Sequence, residues 1–341
     1  MFFEVIENEE RMAELSEAWN ALLTQAAIRV PFLRHEYLSA WWAQRGGGEW
    51  PPDSQLFIVL WRDDDGTLKG IAPLFRVQTR LLLLGSFEIS DYLDFIAPAD
   101  SLARFLHDLL DFLAARADWQ VLDCYNLLED SPSRALLAAE AAQRGWPFDE
   151  ERLQPAPRLL LAPSWEDYLA GLSKKQRHEV RRKLRRAESL EQEMRWHIVS
   201  DEASLDAEID AFLTLMAYAP DKEVFLSEVM RSQMRHTIHT AFRAGWLQLA
   251  FLEINGQKAA AYLNLDFDNQ IWVYNSGLNF EHSALSPGWV LLSYLIQWAI
   301  EHGRSCLDFM RGDEEYKYRF GGQDRFIWRA RLSRTTEAAA T

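Results

Sequence analysis

The sequence predicts a mixed α/β (α+β) protein of two tandem halves, each a mostly antiparallel sheet with flanking helices and a strand–helix–strand crossover. Three observations predict it. The stretch 271–322 sets an apolar strand (IWVYNS), a helix bounded by Ser286-Pro287 and Gly303, and a second strand (SCLDFM) in succession, the order of a crossover unit. Ahead of it, WLQLAFLEINGQKAAAYLNLDFDNQIWVYNS reads as three meandering strands with turns at Asn255-Gly256 and Asp268-Asn269,. The first half repeats the plan: helices, a hairpin turning at Gly66, a strand, a polar turn, a helix and a strand, as a diverged duplication does.

Taken in order, FFEVI is a short strand, followed by a helix over 9–25 with Met12, Leu15, Trp19, Leu22 and Leu23 on one face and a second helix over 34–44,. Gly46-Gly47-Gly48 and Pro51-Pro52 form a loop,. QLFIVLWRDDDGTLKGIAPLFRV is a hairpin, and LLLLGSFEISDYLDF carries a strand that ends in a polar turn,. A helix over 102–115, a strand over 119–125 and a helix over 133–143 complete the half, and QPAPRLLLAPS marks a boundary, placing the domains at 1–155 and 156–341. The second opens with a basic helix (173–188), then a strand over 194–199 and helices over 201–218 and 226–244. After the meander comes the helix that starts at Ser286, with Pro287 where a missing N–H costs nothing and Gly303 as the left-handed stop,. Its polar positions, Ser293, Gln297 and Glu301, form one thin stripe, so the helix is buried nearly all round,. RFIWRARLS is the last strand.

A chain of 341 residues with 48% hydrophobic residues fills two cores,. Cys124 and Cys306 sit in separate apolar runs and read as buried thiols,. The N-terminus lacks the basic and apolar regions of a signal peptide, and no run approaches the ~18 apolar residues of a membrane span,. The expected location is the cytoplasm or the inner face of the membrane. A formal charge of −15 argues against nucleic-acid binding over the whole surface,. One segment departs from that average: KKQRHEVRRKLRR, 174–186, holds eight Lys/Arg and one Glu. It places Arg177, Arg181 and Arg185 on one line and His178, Arg182 and Arg186 on the next. So dense a charge of one sign implies an anionic neighbour, whether donor phosphates, a phosphorylated acceptor, tRNA, an anionic membrane face or the protein's own acidic surface. His236 and His239 form HxxH with no third ligand at metal spacing, so no metal is expected,.

LSPGWVLL, then LDF, then GDEEYKYRFGG resembles the C-terminal half of the FemABX and CelD-like group of GNAT-fold acyltransferases, which are built from two GNAT-like halves. Tyr316-Lys317 followed by Phe320-Gly321-Gly322 matches the group's aromatic-Lys and glycine-ended segment, and SKKQRHEVRRKLRR its basic helix; PFLRHEYLSAWW and GSFEISDYLDF look like the first-half counterparts. One departure stands out: the Arg/Gln-x-x-Gly-x-Gly/Ala pyrophosphate loop of ordinary GNAT enzymes is absent, because the helix begins Ser-Pro-Gly. The resemblance implies an N- or O-acyltransferase. Its donor is acetyl-CoA or another acyl-CoA, or else aminoacyl-tRNA as in Fem-type members. Its acceptor is an amine or hydroxyl on a saccharide or cell-envelope precursor. A non-catalytic module binding an anionic glycan or lipid is the reading from another class.

Under that resemblance, Ser286, Gly288 and Trp289 at the helix start, together with Tyr316, Arg177 and Arg181, fall to donor binding, since a helix N-terminus presents free N–H groups and a positive dipole end. Lys317, steadied by Glu314 in the loop MRGDEEYKYRF, would stabilise charge on the transferring carbonyl. Asp308, acidic within an apolar strand, is a loop cap or the general base, and Tyr274 an acid for the leaving thiolate or a core tyrosine. Asn275, Asp91, Tyr92 and Asp94 are placed with the acceptor in a cleft between the halves, with an Asx turn as the plainer account of SDYLD.

Overall fold

The computed structural model describes residues 1–189 and 193–334. The chain forms two compact units: 1–155 together with the segment from Arg325 onward, and Ala156–Asp324. Residues 335–341, expected as the end of the second half, lie outside the described residues.

The first unit begins with β1 (Phe2–Ile6), α1 (Glu9–Ala13) and α2 (Ser16–Leu23), then α3 (His35–Ala43) and an irregular turn, α4 (Arg45–Gly48). The single helix expected over 9–25 is therefore two, parting at Glu14 and Leu15. β2 (Gln55–Leu56), β3 (Ile58–Arg62), β4 (Leu68–Ala72), β5 (Leu74–Val77) and β6 (Arg80–Leu83) follow, and after a loop α5 (Leu102–Ala114), β7 (Val121–Leu128), α6 (Pro132–Arg144) and β8 (Phe148–Pro155). The segment that reads as one hairpin is four strands divided between two sheets: β3 and β4 join β1, while β2 and β5 join the larger sheet. β6 and β7 are parallel and joined through α5, the crossover expected of this half.

The second unit holds β9 (Arg158–Leu160), α7 (Trp165–Gly171), α8 (Lys174–Glu188), β10 (Met194–Ile198), α9 (Leu205–Ala217), α10 (Pro220–Phe225) and α11 (Glu228–Arg243). The meander is β11 (Leu247–Ile254), β12 (Gln257–Phe267) and β13 (Gln270–Leu278); α12 (Pro287–Glu301), β14 (Cys306–Asp308) and α13 (Glu315–Arg319) complete it. The sheet order is β10-β11-β12-β13-β14-β9. β13 and β14 run parallel and α12 crosses between them. The helix packs as its thin polar stripe requires, with Val290, Leu291, Leu295, Ile296 and Ala299 in the core on one face of the sheet,. α8 starts with a capping box, Ser173 Oγ accepting from Gln176 N while the Gln176 side chain accepts from Ser173 N,.

The last strand, β15 (Phe326–Ser333), corrects the expected division at 155/156. It lies between β7 and β8 in the first unit's sheet, antiparallel to both. β8 itself was expected to be a boundary segment. Its residues FDEERLQP are mostly exposed, because β8 is an edge strand paired only to β15. Cys124 and Cys306 are both buried. Among the described residues no helix is long and apolar enough to cross a membrane, and no group of three or more His, Cys, Asp or Glu side chains is placed to hold a metal.

Candidate active site

The parallel pair β13/β14 is short. Gln270, Ile271 and Trp272 face Cys306, Leu307 and Asp308, after which β14 ends while β13 continues to Leu278. At the point of parting β13 also bulges: Val273 pairs with Asn264 and Asn275 with Leu263, leaving Tyr274 as the extra residue. A bulge bends its strand and re-aims the side chains beyond it. Past the bulge a pocket of about 360 Å³ opens on the α12 side of the sheet. It is lined by Tyr262 and Ser276 of the sheet, Leu278 and Phe280 beyond it, Ser286, Gly288 and Trp289 at the helix start, and Tyr316 and Phe320.

The helix start is open in a specific sense. Pro287 brings no N–H and the first intrahelical bond runs from Val290 N to Ser286 O (3.1 Å), so the amides of Gly288 and Trp289 lack an acceptor four residues back. Ser286 adopts φ +54° and its hydroxyl does not cap the helix, contrary to the capping role its position suggests. Nor is the missing side chain of Gly288 a vacancy for an anion: a Cβ there would stand 2.7 Å from Leu278 Cδ2, so the glycine makes room for the pocket wall. Trp289 packs against Phe320, ring centroids 4.4 Å apart, and carries Lys183 Nζ 3.9 Å from the centroid of its ring. Burial lowers the pKa of Lys183 against the raising effect of Glu179,.

Of the expected donor residues, then, the structure gathers Ser286, Gly288, Trp289 and Tyr316 around one pocket. Arg177 and Arg181 do not line it. Arg181 pairs with Glu166 at 2.8 Å and lines a separate groove between α7 and α8 with His178 and Arg185.

The expected catalytic residues are placed differently. Lys317 lies in α13, where a loop was expected, and is 2% exposed. Its Nζ donates to the carbonyls of Met310 (3.2 Å), Arg311 (2.5 Å) and Gly312 (3.2 Å) and pairs with Glu314 at 2.8 Å. An ammonium has three protons, so none is left for a transferring carbonyl, and the expected oxyanion role is corrected to that of a loop staple. Glu314 is the N-cap residue of α13 and holds Lys317. Asp308 is fully buried and Oδ1 accepts from Met310 N at 2.8 Å; its neighbours Leu307 and Phe309 point into the α12-side core, and Asp308 does not line the pocket. That is the capping role rather than an exposed base. Tyr274, the bulge residue, is also absent from the pocket wall. Asn275 Oδ1 accepts from Lys222 Nζ at 2.8 Å, and Lys222 also donates to Ser276 O at 2.6 Å.

In the first unit Asp91, Tyr92 and Asp94 are buried. Asp94 is turned onto the start of α6, accepting from Ser131 and Ser133 hydroxyls, both at 2.5 Å, and from Phe95 N at 2.8 Å. Tyr92 is wholly inaccessible, with the Arg325 guanidinium 5.3 Å from its ring. Neither is presented to a ligand, so the acceptor assignment of Tyr92 and Asp94 is corrected to a structural one. Burial pushes the Asp94 carboxyl from 3.8 up to about 6, against the lowering effect of the two hydroxyls,. The folded state therefore holds this proton more tightly than the unfolded one. The stability involved is complete below about pH 3.8 and lost as pH rises through about 6, at most about 3 kcal/mol,. In Asp94→Asn that dependence should vanish. Thermal melts of variant and unaltered protein are expected to differ by an amount that changes between pH 4 and 6.5, in the variant's favour as pH rises, and is flat above 7.

Three residues escaped sequence reasoning. Lys183 was legible in principle, since it stands seven residues after the inward-facing Gln176 on α8. Lys222 and Tyr262 gave no local signal, because one is a lysine in a polar turn of helix and the other an ordinary strand residue.

Residues 174–318, which span α8, the meander, the splayed strands and α12, match the family model described as acetyltransferase (GNAT) domain. That stretch is similar to a GNAT acetyltransferase domain. Solved structures similar in fold include FemX (11% identity, covering 96% of this chain and 97% of that one, TM-score 0.63) and a conserved protein of unknown function from Bacteroides thetaiotaomicron VPI-5482 (13%, 97% and 100%, 0.64). A third is a tandem GNAT protein from the clavulanic acid biosynthesis pathway (14%, 97% and 98%, 0.50). At such identities the likeness speaks to the fold, two GNAT-like halves in one chain. No curated protein matches this chain significantly in sequence. The pocket lies between the end of β13 and the start of α12, with Tyr316 and Phe320 completing its lining.

Proposed function

We propose that this protein transfers an acyl group, acetyl from acetyl-CoA in the first instance, to an amine or hydroxyl of a saccharide or cell-envelope precursor. The observation that supports it is the pocket at the start of α12, where two amides of the helix without helical acceptors suit the anionic and carbonyl groups of a thioester donor, with Lys183 stacked on the lining residue Trp289,. Transfer by direct attack fits the pocket, whose lining includes no cysteine,. Calorimetric titration with acetyl-CoA is the test: saturable binding is expected, and no heat at millimolar ligand refutes an acyl-CoA donor. Ser283→Trp, on the exposed turn lining the pocket, is expected to weaken that binding at least tenfold without altering the melting temperature.

A second reading, an aminoacyl-tRNA donor held through 174–186, draws on α8. Arg182, Arg185 and Arg186 are exposed there, and among the described residues none has an acidic partner. Phosphate contacts by these arginines would give tRNA retention that falls steeply with salt. Retention at moderate salt together with silence toward acetyl-CoA favours this donor.

A further inference from the structure

Tyr262, on β12, is 5% exposed and lines the α12 pocket. Its hydroxyl has no hydrogen-bond partner among the described residues, and burial is the one influence on it. Tyr316, in the first turn of α13, lines the same pocket, and its hydroxyl is likewise without a partner among the described residues. The two phenols face each other's field: burial makes Tyr316 hardest to ionise, and Tyr262 and then Glu314 add to it. Other buried tyrosines are tied down, Tyr37 to Ile89 O at 2.8 Å and Tyr168 to Phe320 O at 3.0 Å. Both residues line the same cavity, and two phenol donors that no protein acceptor among the described residues occupies match an acceptor that arrives with the ligand.

We propose that the Tyr262 and Tyr316 hydroxyls donate a pair of hydrogen bonds to the carbonyl oxygen of the donor's acyl group in the α12 pocket. This rests on the reading that the pocket takes the acyl donor. In the transfer, the acceptor's lone pair forms the new bond to the carbonyl carbon and the C=O π pair moves onto oxygen, where the two phenols meet the developing charge. As the oxyanion collapses, the C–S bond breaks with its pair on sulfur, and the proton released by the acceptor ends on the thiolate. The phenols remain protonated throughout. Burial holds both above the ordinary tyrosine value of about 10,, whereas a thiol titrates near ~8.5; proton donation to the thiolate would run uphill, and hydrogen-bond donation would not. This pair fills the place vacated by Lys317, whose protons are spent on carbonyls.

The test is isotope-edited infrared difference spectroscopy of acetyl-CoA labelled with carbon-13 at the thioester carbonyl, paired with calorimetric affinity, on the unaltered protein, Tyr262→Phe and Tyr316→Phe. Both variants keep the ring and its packing. Binding to the unaltered protein is expected to shift the carbonyl band downward, and each variant to return part of that shift while acetyl-CoA affinity changes less than tenfold. Thiol release, with water as acceptor, is expected to fall about 10²-fold in each variant. Retained binding with an identical carbonyl band in all three proteins overturns the proposal, as does a loss of affinity with unchanged thiol release. If the unaltered protein ignores acetyl-CoA, the acyl-CoA reading fails by itself, and carbonyl-labelled alanyl-tRNA reads the same band shift on the ester. Binding of neither donor overturns both.

Discussion

Lys317→Met is expected to destabilise the second unit before it says anything about chemistry. The substitution strands the carbonyls of Met310, Arg311 and Gly312, which share one buried ammonium. Each buried acceptor left without a donor costs about 1–3 kcal/mol, and breaking a buried charged contact by removing one partner about 3–5 kcal/mol. The ion pair with Glu314 adds little, because that carboxylate is 58% exposed,. A loss of at least about 3 kcal/mol should lower the melting temperature of a unit this size by roughly 6–12 °C. Glu314→Gln should move it far less. The contrary result, an unchanged melt with turnover abolished, would return Lys317 to the chemistry and undo its assignment as a staple.

Gly277→Ala should be comparably damaging, for a different reason. Gly277 lies in β13 where α9 crosses it, and a Cβ there would stand 2.6 Å from both Leu215 C and Met216 N. Backbone atoms have no rotamer to yield with, so the strand must leave the helix at a cost of about 1–3 kcal/mol or more. Its neighbours Ser276 and Leu278 line the pocket, so acetyl-CoA affinity should fall with stability. Gly288→Ala is the control. There the clash is with Leu278 Cδ2, the end of a flexible side chain, and the expected effect is small on stability and confined to the pocket. Denaturant midpoints separate the two, and a Gly277→Ala midpoint equal to the unaltered protein's would deny the close approach.

Legibility in the sequence depended on where each signal resides. α12 was readable to within a residue because its punctuation is local: Pro287 and Gly303 sit at its ends, and the apolar positions between them declare burial all round. The meander and the parallel return were readable because strand runs and turn residues alternate at short range. The resemblance carried by SPGW and EYKYRFGG led to the residues that line the pocket, Ser286, Gly288, Trp289 and Tyr316, although the roles of Ser286 and Gly288 differ from those expected.

The sequence by itself determined the element types, the crossover order of both halves and the basic face of α8, since these depend on neighbours within a turn or two of the chain. Only the tertiary structure decided that β15 returns to the first unit's sheet, that Lys317 is consumed by three carbonyls while two tyrosine hydroxyls are left facing a pocket, and that Asp94 is sealed under α6. Those outcomes depend on strand register and on which polar atoms the packed chain turns toward each side chain, even where, as for Lys317, the partners are only five to seven residues away. A hydrogen bond's partner is a property of the packed chain, and a lysine or tyrosine looks the same in sequence whether its partner is a carbonyl, a carboxylate or an empty cavity.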